Sequence, residues 1–318
     1  MIVALSGGVG GARMCAGLAR VFPVGGLSII VNTGDDFDHW GLRICPDLDT
    51  VMYTLAGMVN EQNGWGVQDD TSAIQQAVVA QGGEGWFQLG DRDLVTHLTR
   101  TSLLAQGASL SEVTRKLFTS LNLDHIVAPA TDQNHRTLLR TDRGILEFQD
   151  YFVRQRCAPR LISVEFSGAG AAPAPSAVLS NLIQRDDIEG VIICPSNPIL
   201  SVLPILEVEG VRSWLAQRNF PVVAVSPFIG GQAIKGPAAK IFAELDLPTN
   251  LTGLDQWYGD IVDGWLIDTK ESAVTPRSGA QVRHDDIMLN TTPRRVHLAR
   301  SIKSWLSLLA PRYSPKAR

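Results

Sequence analysis

Cysteine is scarce in this 318-residue chain: Cys15, Cys45, Cys157 and Cys194 stand far apart, and no two share a CxxC spacing. That pattern excludes a disulfide framework and a thiolate zinc site, and suits reduced thiols in a cytosolic protein. The six histidines, at 39, 97, 125, 135, 284 and 297, form no HxH or HxxxH pair, so imidazole metal chemistry has no footing either. An excess of charge is also lacking. A net charge of -4 excludes a general binder of nucleic acid or anionic membrane and leaves room only for a local basic pocket. No apolar run reaches the roughly 18 residues needed to span a bilayer. The opening MIVALSGGVGGARMCAGLARVFP has no basic leader, is broken by glycines 7, 8, 10 and 11 and carries Arg13, so it does not read as a signal peptide. The expectation is a soluble cytoplasmic protein.

What the chain does have is apolar residues, 45% of the total, enough for a large core. Short β-branched runs recur at IVAL (2–5), SIIV (28–31), VIIC (191–194) and PVVAV (221–225), and more weakly at GWLID (264–268) and DIML (286–289). Continuous, non-alternating runs are what strands buried on both faces look like. Helical patterns such as SAVLSNLIQRDD and VRSWLAQR lie between them. This alternation predicts an α/β fold, a Rossmann-like, doubly wound and mostly parallel sheet, over 1–318 as a single domain. Asp70 is expected to cap a helix ending at Gly82, and Ser109 with Glu112 to form a capping box before a helix ending near Leu121. From 122 to 166 the runs HIVAP, RTLLRT and GILEFQDYFV are short and alternating, a small β-rich antiparallel insert, and AGAAPAPS (169–176) reads as a loop.

Each strand is followed by a small, polar or glycine-rich loop: SGGVGGAR, NTGDDFD, PSNP and SPFIGG. In open α/β sheets ligands bind beyond the carboxyl ends of the strands, where strand order reverses, so one crevice is the economical reading. The first loop lets backbone amides approach an anion at a helix start. It is neither a Walker A loop, lacking GK[ST], nor GxGxxG, because Arg13 occupies the third glycine position; a plain tight turn competes with the phosphate reading.

Residues 32–50, NTGDDFDHWGLRICPDLDT, carry five aspartates in nineteen positions. Asp38 suits a solvated loop, Asp47 suits an N-cap and Asp49 the first turn of a helix. Those roles explain less well why Asp35 and Asp36 share a crevice with an anion-binding loop. Carboxylates beside phosphates repel unless a hard cation such as Mg²⁺ lies between them, and a free carboxylate can take a proton from an attacking hydroxyl. Asp91, Arg92 and Asp93 in LGDRDLVTHLTR fit caps or a site equally. Ser196 and Asn197 sit in a stiff turn suited to recognising a base or phosphate. Lys235 and Lys240 read as solvated lysines, with phosphate contact by Lys240 as the alternative.

At SGGVGGAR, VNTGDD, CPDLDTVMYTL, GWGVQDDT, LGDRDLVTHL, LEFQDYFV, PSNPILSV and VAVSPFIGG with KGPAAK, the chain resembles the 2-phospho-L-lactate transferases of coenzyme F-420 biosynthesis. The landmarks run in order from residue 6 to about 240, and CPDLDT with GDRD and PSNP is more specific than any glycine pattern. The resemblance implies a Rossmann-like core with a smaller insert, a homodimer and a requirement for Mg²⁺. It also implies transfer of a phospho-acyl group (phospholactyl, phosphoenolpyruvyl or phosphoglyceryl) from a guanosine-diphospho donor to the ribityl hydroxyl of a deazaflavin riboside acceptor, with release of GMP. Carried onto this sequence, Gly8, Gly10 and Gly11 cradle the donor phosphates, and Ser6, Arg13, Asp91, Ser196 and Asn197 complete the donor side. Asp36, Asp47 and Asp49 form the metal set, with Asp47 and Asp49 sharing the metal-ligand and acceptor-side roles in an order left open. Trp40, Trp65 and Trp86 are candidates to stack on the deazaflavin, against ordinary packing. On this reading Asp49→Asn abolishes turnover and leaves the fold intact.

Two other readings compete. A related family of non-catalytic nucleotide-sugar-binding regulators looks similar in its glycine opening, but its aspartate turn continues into a double glycine where this chain has DDFDHWG. An NAD-dependent oxidoreductase would use Asp35 to hold the ribose, against which stand the missing third glycine and the further aspartates.

Overall fold

A computed structural model of the protein describes residues 1–168, 171–233, 236–272 and 274–313. The first half runs β1 (Ile2–Ser6), α1 (Gly8–Val21), β2 (Leu27–Val31), β3 (Phe37–His39), β4 (Leu42–Ile44), α2 (Pro46–Leu55), α3 (Ala73–Ala80), α4 (Asp93–Ala105), α5 (Leu110–Ser120) and β5 (Ile126–Pro129). Then follow β6 (Thr137–Thr141), β7 (Gly144–Glu147), β8 (Leu161–Phe166), α6 (Ala177–Ile183), β9 (Gly190–Ile193), α7 (Leu203–Leu206), α8 (Val211–Ala216), β10 (Val222–Val225), β11 (Phe228–Ile229) and β12 (Gln232–Ala233). The chain ends with α9 (Ala238–Glu244), α10 (Leu251–Tyr258), β13 (Gly264–Asp268), β14 (Gln281–Asp285) and α11 (Thr292–Leu309).

Seven strands form one sheet in the order β14-β13-β10-β9-β1-β2-β5, and every pairing in it is parallel. This is an α/β fold of doubly wound type. The chain travels outward from β1 through β2 to β5, then returns to β9 and travels the other way, so strand order reverses between β1 and β9. The central runs are continuous and apolar because both faces are covered. Ile2, Ala4, Ile29 and Val31 pack under α1, α2, α5 and α11, while Val3, Leu5 and Ile30 pack with α6, α8, α10 and the smaller sheet.

Two expectations shift. HIVAP does not belong to the insert: β5 pairs in parallel with β2 at the edge of the main sheet, and the antiparallel insert is the sheet β7-β6-β8. The last strand lies at 281–285, not at DIML, because its Val282 and Arg283 continue the parallel register of Trp265 and Leu266. The capping box at Ser109 forms as its spacing predicts, Ser109 Oγ taking the Glu112 amide at 3.2 Å. Part of the expected 169–176 loop and Lys235 lie outside the described residues. Among the described residues no helix is long and apolar enough to cross a membrane.

Helix α1 is held from behind by α11 at a glycine. A Cβ on Gly17 would stand 2.2 Å from the carbonyl oxygen of Arg295, so backbone meets backbone. Gly17→Ala must push α11 away and is expected to cost about 1–3 kcal/mol, the usual range for overpacking. Urea unfolding measures it, and an unchanged midpoint would contradict the contact.

Candidate active site

The loops after β1, β2 and β9 converge on one cavity of about 540 Å³ at the reversal point. Its polar end is built from Gly7–Gly10, Asp35, Asp47, Ser196, Asn197 and Ser201. Gly7 N donates to Ser196 Oγ at 3.1 Å, and Gly8 N donates to Asp47 Oδ1 at 2.7 Å. Asn32 Nδ2 donates to the other Asp47 oxygen at 2.9 Å. Asp47 therefore does not cap its own helix α2, whose N-cap is Cys45; it meets the positive end of α1 instead. The amides of Val9 and Gly10 lie in the first turn of α1, where no intrahelical acceptor exists, and both residues line the cavity.

The glycines divide into two kinds. Gly8 has φ +62° and faces the cavity. Gly10 and Gly11 serve packing: a Cβ on Gly10 would stand 2.2 Å from Pro195 O, and one on Gly11 would stand 2.6 Å from Ser6 Oγ and 2.7 Å from Ser196 Oγ. Gly11 and Ser6 sit beneath the cavity surface, and the buried Ser6 hydroxyl makes no hydrogen bond.

The aspartates also separate. Asp35 lines the cavity with Oδ1 buried and unpartnered; burial and the neighbouring Asp47 charge hold its pKa well above the usual carboxylate range. Burial pushes Asp47 up to about 6, even though the Asn32 and Gly8 hydrogen bonds oppose it. Asp36 turns away from the cavity, toward Cys45 and a small void beside Arg136 and Thr137, and burial pushes it up to about 7. Asp38 is a surface residue paired with Arg43 and Arg136. Asp49 lines the cavity, but both its oxygens are held by Arg100, one at 3.1 Å from Nη1 and the other by Nη2. The expected metal set Asp36, Asp47 and Asp49 thus does not converge; the carboxylates that face each other are Asp35 and Asp47. No group of three or more His, Cys, Asp or Glu suited to a metal occurs among the described residues.

Around Asp49 stands a network that sequence reasoning missed. His97, 2% exposed, has Nδ1 at 3.3 Å from Arg100 Nη1 and Nε2 at 3.3 Å from Asp93 Oδ2. A guanidinium can only donate, so Nδ1 accepts and Nε2 carries the ring hydrogen; Nε2 lies close to Asp93 without a well-aligned hydrogen bond to it. Tyr53 OH donates to the other Asp93 oxygen at 2.6 Å. The i,i+4 spacing of Asp93 and His97 was the available signal.

Asp91 lies outside the lining. Its carboxylate takes the Ala73 and Ile74 amides at 3.0 and 2.9 Å and caps α3, while Asp70 takes the Arg92 and Asp93 amides at 2.8 and 3.0 Å and caps α4. Lys240 bonds Glu244, Pro159 O and Tyr151 OH at 2.6, 2.9 and 3.1 Å, away from any phosphate position. Arg13 lines the cavity and donates to Glu61 O at 3.0 Å. Asn197 spends its side-chain oxygen on the Ile199 and Leu200 amides, both at 3.0 Å, which leaves its NH₂ at the cavity. The same cavity is also lined by aromatic rings: Tyr53, Trp65, Trp86, Phe87, Phe148 and Phe152. Trp40 is outside it, its indole N–H bonded to Glu84 O at 3.0 Å.

The sequence profile described as 2-phospho-L-lactate transferase CofD matches residues 2–301. The chain belongs to the CofD family. A phosphoenolpyruvate transferase of Kitasatospora aureofaciens is 39% identical over 310 residues, 94% of this chain and 96% of the relative. A 2-phospho-L-lactate transferase of Methanospirillum hungatei is 36% identical over 288 residues, 91% and 94% of the two chains. Among solved structures, protein BH3568 of Bacillus halodurans superposes with a TM-score of 0.62 at 15% identity, covering 95% of this chain and 98% of that one, which speaks for the fold alone.

The buried carboxylates predict a pH dependence. A carboxyl whose folded pKa lies above its unfolded value stabilises the fold at low pH and loses that contribution as pH rises through the folded value. With Asp47 at about 6 and Asp36 at about 7, Tm in chelating buffer should fall from about pH 5 to about pH 8, and Asp36→Asn should flatten the decline. A Tm that climbs over this interval would contradict the assignment.

Proposed function

We propose that this protein transfers a phospho-acyl group from a guanosine-diphospho donor to the ribityl hydroxyl of the 5-deazaflavin precursor of coenzyme F-420, releasing GMP. The observation that carries the reading is one cavity of about 540 Å³ that brings the first-turn amides of α1, Arg13, Asp35 and Asp47 together with a set of aromatic rings. Family membership and the named activities of its relatives support it.

Asp35 and Asp47 suit Mg²⁺, which is typically held by one or two carboxylates together with phosphate oxygens; the unpartnered Asp35 Oδ1 and the raised pKa values of both residues mark a place where negative charge lacks compensation. When bound, the cation supplies charge neutralisation at the diphosphate. The Val9 and Gly10 amides bind the phosphate oxygens at the helix start. Asn197 NH₂ and Ser196 hold the nucleotide side, and Trp65, Trp86 and Phe152 stack on the deazaflavin. Asp49, fixed by Arg100, accepts the hydrogen bond of the attacking hydroxyl and takes its proton. The new bond joins that oxygen to the distal phosphorus, and the bond from this phosphorus to GMP breaks in line. A homodimer in the cytoplasm completes the proposal.

The test is mass spectrometry after incubation with the deazaflavin riboside, Mg²⁺ and each of the phospholactyl, phosphoenolpyruvyl and phosphoglyceryl donors. One donor should give a phosphodiester and stoichiometric GMP. Silence with all three, alongside nucleotide binding, would favour a nucleotide-binding regulator. Asp49→Asn should lower kcat by about 10²–10⁴, the usual worth of a proton acceptor. Contrary to the expectation of an intact fold, it should also cost stability on the order of 3–5 kcal/mol, because Arg100 at 2% exposure loses its counter-charge.

A further inference from the structure

Arg13 is the one lysine or arginine among the described residues that line the cavity. Its direction is set by residues behind it. Arg13 Nη2 donates to the Glu61 carbonyl at 3.0 Å, and the Glu61 carboxylate lies 3.6 Å away. The same carboxylate accepts from Arg295 Nη2 at 2.7 Å, while Arg295 Nε donates to Leu289 O at 2.9 Å. Arg295 is 4% exposed and the Glu61 side chain 51%, so the pair is anchored on the arginine side, in α11.

Glu61 belongs to a loop that is tied to itself by several hydrogen bonds. Val59 and Val67 bridge its base, Asn60 N bonds Gly66 O at 3.0 Å, and Asn60 Oδ1 takes the Gln62 and Asn63 amides, each at 3.1 Å. Arg295 pins this loop to the helix packed behind α1, and the loop's carbonyl in turn orients Arg13. Two guanidiniums share the Glu61 carboxylate here, and burial and Arg295 both lower the Arg13 pKa, as expected where a further anion is welcome.

We infer that Glu61 and Arg295 are positioning residues that aim the Arg13 guanidinium at the anionic diphosphate donor. The inference rests on the donor site proposed above. It has a distinctive sign. If Glu61 acted only through its charge, removing it would make the site more positive and tighten binding of an anion; if it positions Arg13, removing it weakens binding.

Glu61→Ala is the first variant, since Glu61 is exposed enough to be replaced without emptying the core. KM for the donor should rise about tenfold with kcat within about twofold, the pattern of lost binding common to ground and transition states. The dissociation constant of guanosine diphosphate, by calorimetry, should rise in parallel. Arg295→Lys keeps the charge but cannot reach Leu289 O and Glu61 together, and should shift KM the same way. In a double-mutant cycle Arg13→Ala with Glu61→Ala should be no worse than Arg13→Ala alone. Unchanged or tighter binding in Glu61→Ala, or additive losses in the cycle, would overturn the inference while leaving the donor site standing. A wild type that neither binds guanosine diphosphate nor consumes any donor would remove the donor site and this inference together.

Discussion

Helix α1 begins close against the Pro195–Ser196 turn, meeting the Pro195 backbone at Gly10 and the Ser196 hydroxyl at Gly7 and Gly11, and the cavity is arranged around that contact. Gly10 and Gly11 permit the approach on one side, and Gly17 permits the approach of α11 on the other. Because α1 is seated this deeply at the reversal between β1 and β9, its first turn opens into the crevice at the carboxyl ends of both strands. A helix displaced by one side-chain layer would bring its free amides into solvent. Close packing of α1 and the opening of its free amides into the cavity are thus one geometric fact.

The second organising theme is uneven charge compensation. Asp49 enters the interior together with Arg100, and His97, Asp93 and Tyr53 surround the pair with further polar contacts. Asp35 and Asp47 enter with amides only, and burial raises both. A fold selected for stability alone would gain by replacing these two with apolar residues of similar volume. Retaining them leaves a locally destabilised patch at the mouth of the α1 amides, as expected where an external charge completes the arrangement.

The main sheet was legible because its strands are buried on both faces and read as unbroken apolar runs. DIML misled for a related reason: Ile287 and Leu289 are apolar because they pack into the core under α1 and α11, and with Met288 they line the cavity, without pairing in the sheet. The switch-point loops were legible too, since glycine and Ser-Asn-Pro turns mark strand ends. What composition could not show was direction. Asp35 and Asp36 are adjacent, yet only Asp35 reaches the cavity, while Asp36 is confined to the void behind it. Asp91 looked like a site residue because GDRD is distinctive, but its carboxylate caps α3 through amides of residues 73 and 74, 18 and 17 positions earlier. Glu61 and Arg295 are 234 positions apart, and no local pattern announces such a pair.

The exchanged caps of α3 and α4 have a dynamic consequence. Asp70 closes the helix that follows Asp91, and Asp91 closes the helix that follows Asp70. Neither helix can fray from its start without releasing the donors that hold the other, so the two ends open together or remain closed. Trp86 and Phe87 lie on the chain between those ends. Amide protons across 70–93 should therefore exchange as one cooperative unit that includes Trp86 and Phe87, two of the rings lining the cavity, although neither capping carboxylate lines it.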